Sequence, residues 1–459
     1  MSTPTKNGPA GLAPLTTGSV MRHVIVMSAT GWIGLVAIFV VDFLNLFYIA
    51  QLGQQELAAA IGYSGAILFF LLSFAIGITI AGTALVARAL GAGRPDDARR
   101  LAASSLVYMG GFIGVITLLL WPLLGEALTL LGATGITHGI AMDFLRIVLP
   151  AMPLLAVGMA LSGVLRAAGD ARRAMHVTLA GGLTTAVLDP LFIFGFGLGI
   201  TGAAIATILS RVVLFWVGWH GAVTVHKLVA RPRLADLITD ARPLSAIAVP
   251  AILTNVATPV ANAVVTAAIA RFGDSAVAGY AVIDRLIPLA FGGLFALSGA
   301  VGPILGQNLG ARLYDRVRRT LTDCLIVTTI YTIAVWAGLF LLADHVAAVF
   351  GVTGEGAELV RFFCRISAGS FIFVGALFVA NASFNNLGFP MMSTVFNWGR
   401  ATIGTMPFVW IGADYAGAMG AQGGFALGSV VFGALAVVYA YRVVGRIGAP
   451  AATTSQRGG

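Results

Sequence analysis

Twelve apolar stretches recur along this chain, each near the ~20 residues a helix needs to cross a bilayer. They run over 24–49, 57–84, 101–123, 137–162, 174–196, 201–224, 244–269, 277–303, 320–342, 359–381, 391–413 and 420–441. In hydrocarbon every backbone polar group must find its partner within the protein, which leaves helices or closed barrels. The alternating polar and apolar pattern of a barrel strand is absent, so the expectation is an all-α integral membrane protein. Only 10% of the residues are charged and 58% are hydrophobic. An ordinary soluble domain is about 25% charged, and a soluble fold of this length could not hide so much apolar surface. The opening Met1–Thr17 is polar, so no cleavable signal peptide is expected. Cys324 and Cys364 lie in apolar segments and read as small core residues, with no disulfide or metal spacing.

The net charge of +9 does not point to nucleic acid, because the arginines fall in short loops. Arg94–Arg100, Arg166 with Arg172 and Arg173, Lys227 with Arg231 and Arg233, Arg312–Arg319, and Arg442 with Arg446 follow every second span. The other loops hold acids such as Glu56, Glu126, Asp344 and Asp414. Positive loops face the cytoplasm, which predicts a multi-pass protein of the inner membrane with both termini cytoplasmic and contacts to anionic lipid.

The halves repeat. Gly91 and Gly310, in similar sequences, are 219 residues apart, and so are Gly169 and Gly388. Two parallel six-helix repeats, related by an axis along the membrane normal, are expected. The predicted organisation is a flexible cytoplasmic segment 1–20, an N-lobe 21–226, a cytoplasmic linker 227–243, a C-lobe 244–447 and a flexible tail 448–459.

Chemistry would have to come from polar groups inside the spans, which are expensive to hold and functional by default. Asp42 stands in the first span, with Asn45 one turn on. Asp189 stands in the fifth, with Thr185 one turn earlier and Pro190 removing a helix bond at Ala186. Asp42, Asp189, Thr185 and, from the sixth span, Thr207 could line an oxygen-rich pocket for a proton or for Na+, with Asn45 a candidate member of the cavity or network. Asp284 and Arg285 are neighbours in the eighth span; each is expected to find an interhelical partner and to line a cavity. Tyr63 is a candidate cavity wall. Asn381, Asn385 and Asn386, ending the tenth span, read as caps or hydrogen-bonding glue. The glycine run Gly195–Gly202 lacks the strand–helix context of a nucleotide site.

Taken in order, Val41-Asp42 leading to Gln51-Leu-Gly53, Leu90-Gly-Ala-Gly-Arg94, Leu165-Arg-Ala-Ala-Gly169, Leu188-Asp-Pro-Leu-Phe-Ile193, Gly202-Ala-Ala-Ile-Ala-Thr207 and Gly306-Gln-Asn-Leu-Gly310 resemble the multidrug and toxic compound extrusion (MATE) family over about 21–447. The resemblance implies a V-shaped pair of six-helix lobes. It also implies a cation-coupled antiporter, not an enzyme, that exports small amphipathic and often cationic organic compounds without a cofactor. A monomer is expected. The branch resembling DNA-damage-inducible F proteins implies proton or Na+ coupling through Asp42, Asp189 and Thr207, with Thr185 where that branch carries asparagine. Another branch places acids in the seventh and tenth spans; this chain has none there, so no C-lobe cation site is expected. Proton coupling is the primary expectation. The alternatives are Na+ coupling and a flippase for a lipid-linked precursor, for which Arg285 and Arg146 would be the basic candidates.

Overall fold

The computed structural model of the chain describes residues 13–50 and 55–448. All regular structure among them is helical: α1 Val20–Ala50, α2 Gln55–Gly91, α3 Pro95–Leu130, α4 Gly135–Val148, α5 Met152–Ala167, α6 Ala171–Pro190, α7 Gly199–Trp219, α8 Leu234–Ile269, α9 Asp274–Gly310, α10 Tyr314–Val349, α11 Gly354–Arg365, α12 Phe371–Leu387, α13 Pro390–Ala401 and α14 Met406–Gly448. Eleven segments are long and apolar enough to cross a membrane, the last of them, Pro390–Ile447, 58 residues long.

That last segment is two crossings. At Ala416 (φ −142°, ψ 28°) and Gly417 (φ 62°, ψ −146°) the backbone leaves the helix. The chain doubles back, so that Gly412 faces Gly420, Gly424 faces Phe408 and Gly428 faces Gly404. A Cβ on Gly412, Gly420, Gly424 or Gly428 would strike the opposing carbonyl. Contacts whose residue numbers rise on one arm as they fall on the other define an antiparallel hairpin, and small residues let its backbones touch. Twelve crossings result among the described residues.

The helices overrun the apolar stretches that foretell them. α3 opens at Pro95 with Asp96 and Asp97 in its first turn, where proline and acids both suit a helix start. Residues expected in a loop are therefore helical. α8 likewise begins at Leu234, inside the expected linker, where Asp240 of α8 binds Arg100 Nη1 at 2.8 Å and Ser104 Oγ at 2.7 Å on α3. Three crossings are broken among the described residues, one of them at Thr402–Thr405 between α13 and α14. α4 passes to α5 through the turn Leu149–Ala151, and α11 to α12 through Ser367–Ser370.

The repeat is visible in the backbone. Left-handed residues pair at the 219-residue interval: Gly93 with Arg312, Gly132 with Gly351, Gly135 with Gly354, and Gly169 with Gly388. The lobes meet where α2 crosses α9, near the Arg94 and Arg312 loops. A Cβ on Gly91 would strike the Gln307 carbonyl, and one on Gly310 the Arg88 carbonyl. Arg88 Nη2 donates to the Asn386 carbonyl at 2.6 Å, and Gln307 Nε2 to the Ala167 carbonyl at 2.7 Å. Arg88 and Gln307 are repeat mates, as are Ala167 and Asn386, so the same bond is made twice across the pseudo-twofold axis.

A short segment crosses this junction. The 3-10 turn Pro14–Thr16 buries Leu15 to 2% exposure. Leu15 N–H donates to Gln307 Oε1 at 3.0 Å, and its carbonyl accepts from Asn308 Nδ2 at 3.2 Å and Arg316 Nη2 at 3.1 Å. Pro14 sits against Gly169 with no room for a side chain between them.

Toward the opposite end the lobes part. α1 meets α9 at Gly31 with Ala296, and at Trp32 and Phe39 with Gly292. One and two turns farther along the same stripe of α9, Leu289 (62% exposed) and Arg285 stand open, as does Phe43 of α1 (67%).

Candidate functional site

Asp189 lies near the end of α6 with 1% exposure. Its Oδ2 accepts from Asn45 Nδ2 of α1 at 2.9 Å; its Oδ1 has no partner among the described residues. The helix does not break at Pro190. It widens into the π-helical turn Leu191–Gly195, whose longer hydrogen-bond reach absorbs the donor that proline lacks. A carboxylate normally accepts several hydrogen bonds, and one left half-matched in a low-dielectric interior is costly as an anion. The arrangement suits a carboxyl that gains and loses a proton or a counter-cation.

Thr185 and Thr207 do not donate to Asp189. The Thr185 hydroxyl donates to the Gly181 carbonyl at 3.3 Å, and that of Thr207 to the Ala203 carbonyl at 2.9 Å. Their protons are spent on their own helices, which leaves oxygen lone pairs that can accept a proton's hydrogen bond or face a cation. The α1 backbone carries Asp42 three residues before Asn45, and the Asp42 side chain lies outside the described residues.

Other candidates fall elsewhere. Tyr63 Oη donates to the Gly132 carbonyl at 3.4 Å, tying α2 to the turn after α3. Asp284 and Arg285 are both exposed. Neither makes an ion pair or side-chain hydrogen bond among the described residues, which corrects the expectation of interhelical partners. The reason is the divergence of the lobes: Arg285 lies about two turns beyond Gly292, where α9 rests on Trp32 and Phe39 of α1. Asn381 serves as glue inside the C-lobe, accepting from Asn397 Nδ2 at 2.9 Å, while Asn385 Oδ1 accepts from Ser393 at 3.1 Å.

The sequence reading missed the buried arginines. Arg211 (7% exposed) and Arg400 (4%) lie inside spans, and Arg88 closes the junction. The signal was present, since Arg211 and Arg400 each interrupt an otherwise apolar span, but neither stands beside a motif.

Comparison with known proteins places this geometry. The MatE family model matches residues 32–191 and 250–411. The chain is 27% identical over 447 residues to a protein of Shewanella oneidensis named FAD transporter, covering 96% of this chain and 98% of that one. It is 23% identical over 370 residues to the multidrug export protein MepA of Staphylococcus aureus, covering 78% and 80%. The fold superposes on the bent form of the Vibrio cholerae MATE transporter VcmN with TM-score 0.88, 24% identity and coverage of 93% and 98%. It also superposes on a MOP superfamily transporter of Pyrococcus furiosus, with TM-score 0.89, 20% identity and coverage of 97% and 100%. The two-lobed twelve-helix frame, the half-satisfied carboxylate inside one lobe and a family match spanning both lobes lead to one conclusion: this chain is a membrane transporter of the MATE family.

Proposed function

We propose that the protein is a proton-driven antiporter that exports amphipathic organic compounds, many of them cationic, across the cytoplasmic membrane. The observation that carries the proposal is Asp189, buried, with one oxygen held by Asn45 and the other unmatched among the described residues. Protonation at Oδ1 removes the buried charge and gives the carboxyl a donor of its own. Loss of that proton restores an anion for which a cationic cargo is a counter-ion. The two states of one carboxyl thus favour different occupants, and a ligand shifts a conformational equilibrium only by such differential affinity.

The Arg94–Arg100 and Arg312–Arg319 loops stand on one side of the frame and would be cytoplasmic. The lobes meet at that side and part at the other, so this geometry corresponds to an outward-open state. A cysteine placed at Asp274 should react with an impermeant thiol reagent in intact cells, and cysteines at Asp97 and Asp315 should not. Cys324 and Cys364 are buried and would be replaced first.

The deciding measurement is dye transport in proteoliposomes under a pH gradient without sodium. Transport that is lost in Asp189→Asn protein of normal abundance supports the reading. Transport that requires sodium and ignores the pH gradient overturns it in favour of sodium coupling.

A further inference from the structure

Arg400 stands in the last turn of α13, and at about 1.5 Å per residue it lies about 15 Å from the Pro390 end of its crossing. That is near the middle of a hydrocarbon core of about 30 Å. A guanidinium at such depth needs a counter-charge or a full set of acceptors. Arg400 has neither. It makes no ion pair among the described residues, and its two hydrogen bonds are long, Nη1 to Ser429 Oγ at 3.5 Å and Nη2 to Thr258 Oγ1 at 3.4 Å. Its Nε has no partner among the described residues. The Phe425 ring lies 5.8 Å from its Cζ, a contact that supplies a fraction of what a carboxylate would.

The other buried arginine is matched better: Arg211 donates to the Val148 carbonyl at 2.7 Å. The half-buried Arg88 and Arg166 also have short bonds, to the Asn386 carbonyl at 2.6 Å and to Ser162 Oγ at 3.0 Å, although Arg88 Nε, like that of Arg400, has no partner among the described residues. A second feature coincides with Arg400. Its crossing is interrupted at Thr402–Thr405, between α13 and α14. Irregular backbone at membrane depth persists where it is buried in protein or lines a polar cavity, and broken helices are a usual setting for ligand sites in transporters. The neighbouring interior is polar: Thr254, Ser393 and Thr394 form a hydrogen-bonded group between α8 and α13.

We infer that the C-lobe holds an oxyanion site centred on the Arg400 guanidinium, with the Ser429 and Thr258 hydroxyls beside it. Its ligand is a carboxylate or phosphate group, as a free ion or as part of an exported molecule. The planar guanidinium offers paired N–H donors to such a group, and the anion supplies the missing counter-charge. This goes beyond the proton–cation exchange proposed for Asp189. It rests on the transport reading only for the larger ligand, because the binding test needs no transport.

The test uses the full chain in nanodiscs of zwitterionic lipid at fixed ionic strength, with chloride exchanged for formate, inorganic phosphate or 1-naphthoate. The expected result is a saturable rise in the unfolding midpoint that disappears in Arg400→Gln. In Arg400→Lys, which keeps the charge but loses the fork, apparent affinity should fall at least about tenfold, the worth of 1.4 kcal/mol. Saturation by formate or phosphate alone assigns a free ion; saturation by 1-naphthoate as well assigns a group on a larger ligand. If Arg400→Gln does not fold, the lysine variant and the wild-type titration decide. No saturable shift in the wild type, or an equal shift in a folded Arg400 variant, overturns the site. Proton-driven dye transport can stand or fall independently of either result.

Discussion

The two lobes share one backbone plan, and one pair of corresponding crossings carries opposite charges inside it. In the N-lobe the buried group on α6 is Asp189; in the C-lobe the corresponding crossing buries Arg400. The repeat mate of Asp189 is Phe408, and that of Arg400 is Gly181. The mate of Ser429 is Ser210, whose hydroxyl donates to the Gly181 carbonyl at 2.8 Å. The same serine position therefore faces a backbone carbonyl in one lobe and a guanidinium in the other. The helix paths and the junction repeat, while different side chains on those paths give corresponding crossings opposite charges. A shared fold thus does not imply that the lobes handle the same ligand.

The largest effect expected from breaking this asymmetry is on coupling. Asp189→Asn should abolish pH-driven dye transport, and Asn45→Ala, which leaves Asp189 with no partner among the described residues, should change the pH dependence of transport. A pH–rate profile in proteoliposomes distinguishes the two. An unshifted profile in Asn45→Ala would mean that this hydrogen bond does not tune the carboxyl.

At the junction the lobes are alike, and there the expectation is symmetry. Gly91→Ala and Gly310→Ala each force a methyl against a carbonyl of the other lobe, at a cost of about 1–3 kcal/mol to the closed junction. Spin-label distances across the Arg94 and Arg312 loops should lengthen to a similar degree in both variants. A response to only one would show that the junction is not a true twofold contact.

Arg88→Ala and Gln307→Ala sharpen the comparison further. Each removes one of the paired bonds, but Gln307 also accepts from Leu15. Leaving a buried donor or acceptor unmatched costs about 1–3 kcal/mol, so Gln307→Ala should destabilise more. It should also expose Pro14–Thr17 to protease, which Arg88→Ala should do less.

The smallest effect concerns helix starts. Asp170 caps α6 by accepting from the Arg173 N–H at 3.0 Å, whereas its mate Phe389 gives α13 no side-chain cap. Burial pushes the Asp170 carboxyl up, but hydrogen bonds from Arg173 and His226 outweigh this and hold it below the usual carboxylate range. A depressed folded value means that the contribution is present above the unfolded value, near about 3.9, and is lost as pH falls through the folded one. Asp170→Ala should cost about 1 kcal/mol at neutral pH and nothing at the acid limit. Phe389→Ala should show no such pH dependence. Thermal unfolding across that range checks both.

Much of this frame was legible because a bilayer punishes polar backbone so heavily that apolar length alone marks the crossings. The repeat was legible in Gly91 and Gly310, which are glycines because another backbone touches each of them. The pocket was expected to join the first and fifth spans through Asp42 and Asp189, but nothing local says that Asn45 is the residue of α1 that bonds to Asp189. Arg400 escaped notice for the same reason: its significance lies in acceptors that α8 and α14 fail to supply. The break at Leu149–Ala151 had Pro150 and Pro153 as signals, whereas that at Ser367–Ser370 has no proline. The charged helix starts were read as loops because hydropathy does not see a capping turn.

The strap from Pro14 to Gly18 touches both lobes, resting on Gly169 of one and hydrogen-bonded to Gln307, Asn308 and Arg316 of the other. Opening that end of the molecule separates its two seats, and the strap can stay with only one. It is in effect a tethered ligand for the closed junction, held by α1 at an effective concentration on the order of millimolar. Whatever loosens it, a substitution at Leu15 or a bulky fusion ahead of it, lowers that concentration and shifts the balance of conformations without touching the carboxyl in one lobe or the guanidinium in the other.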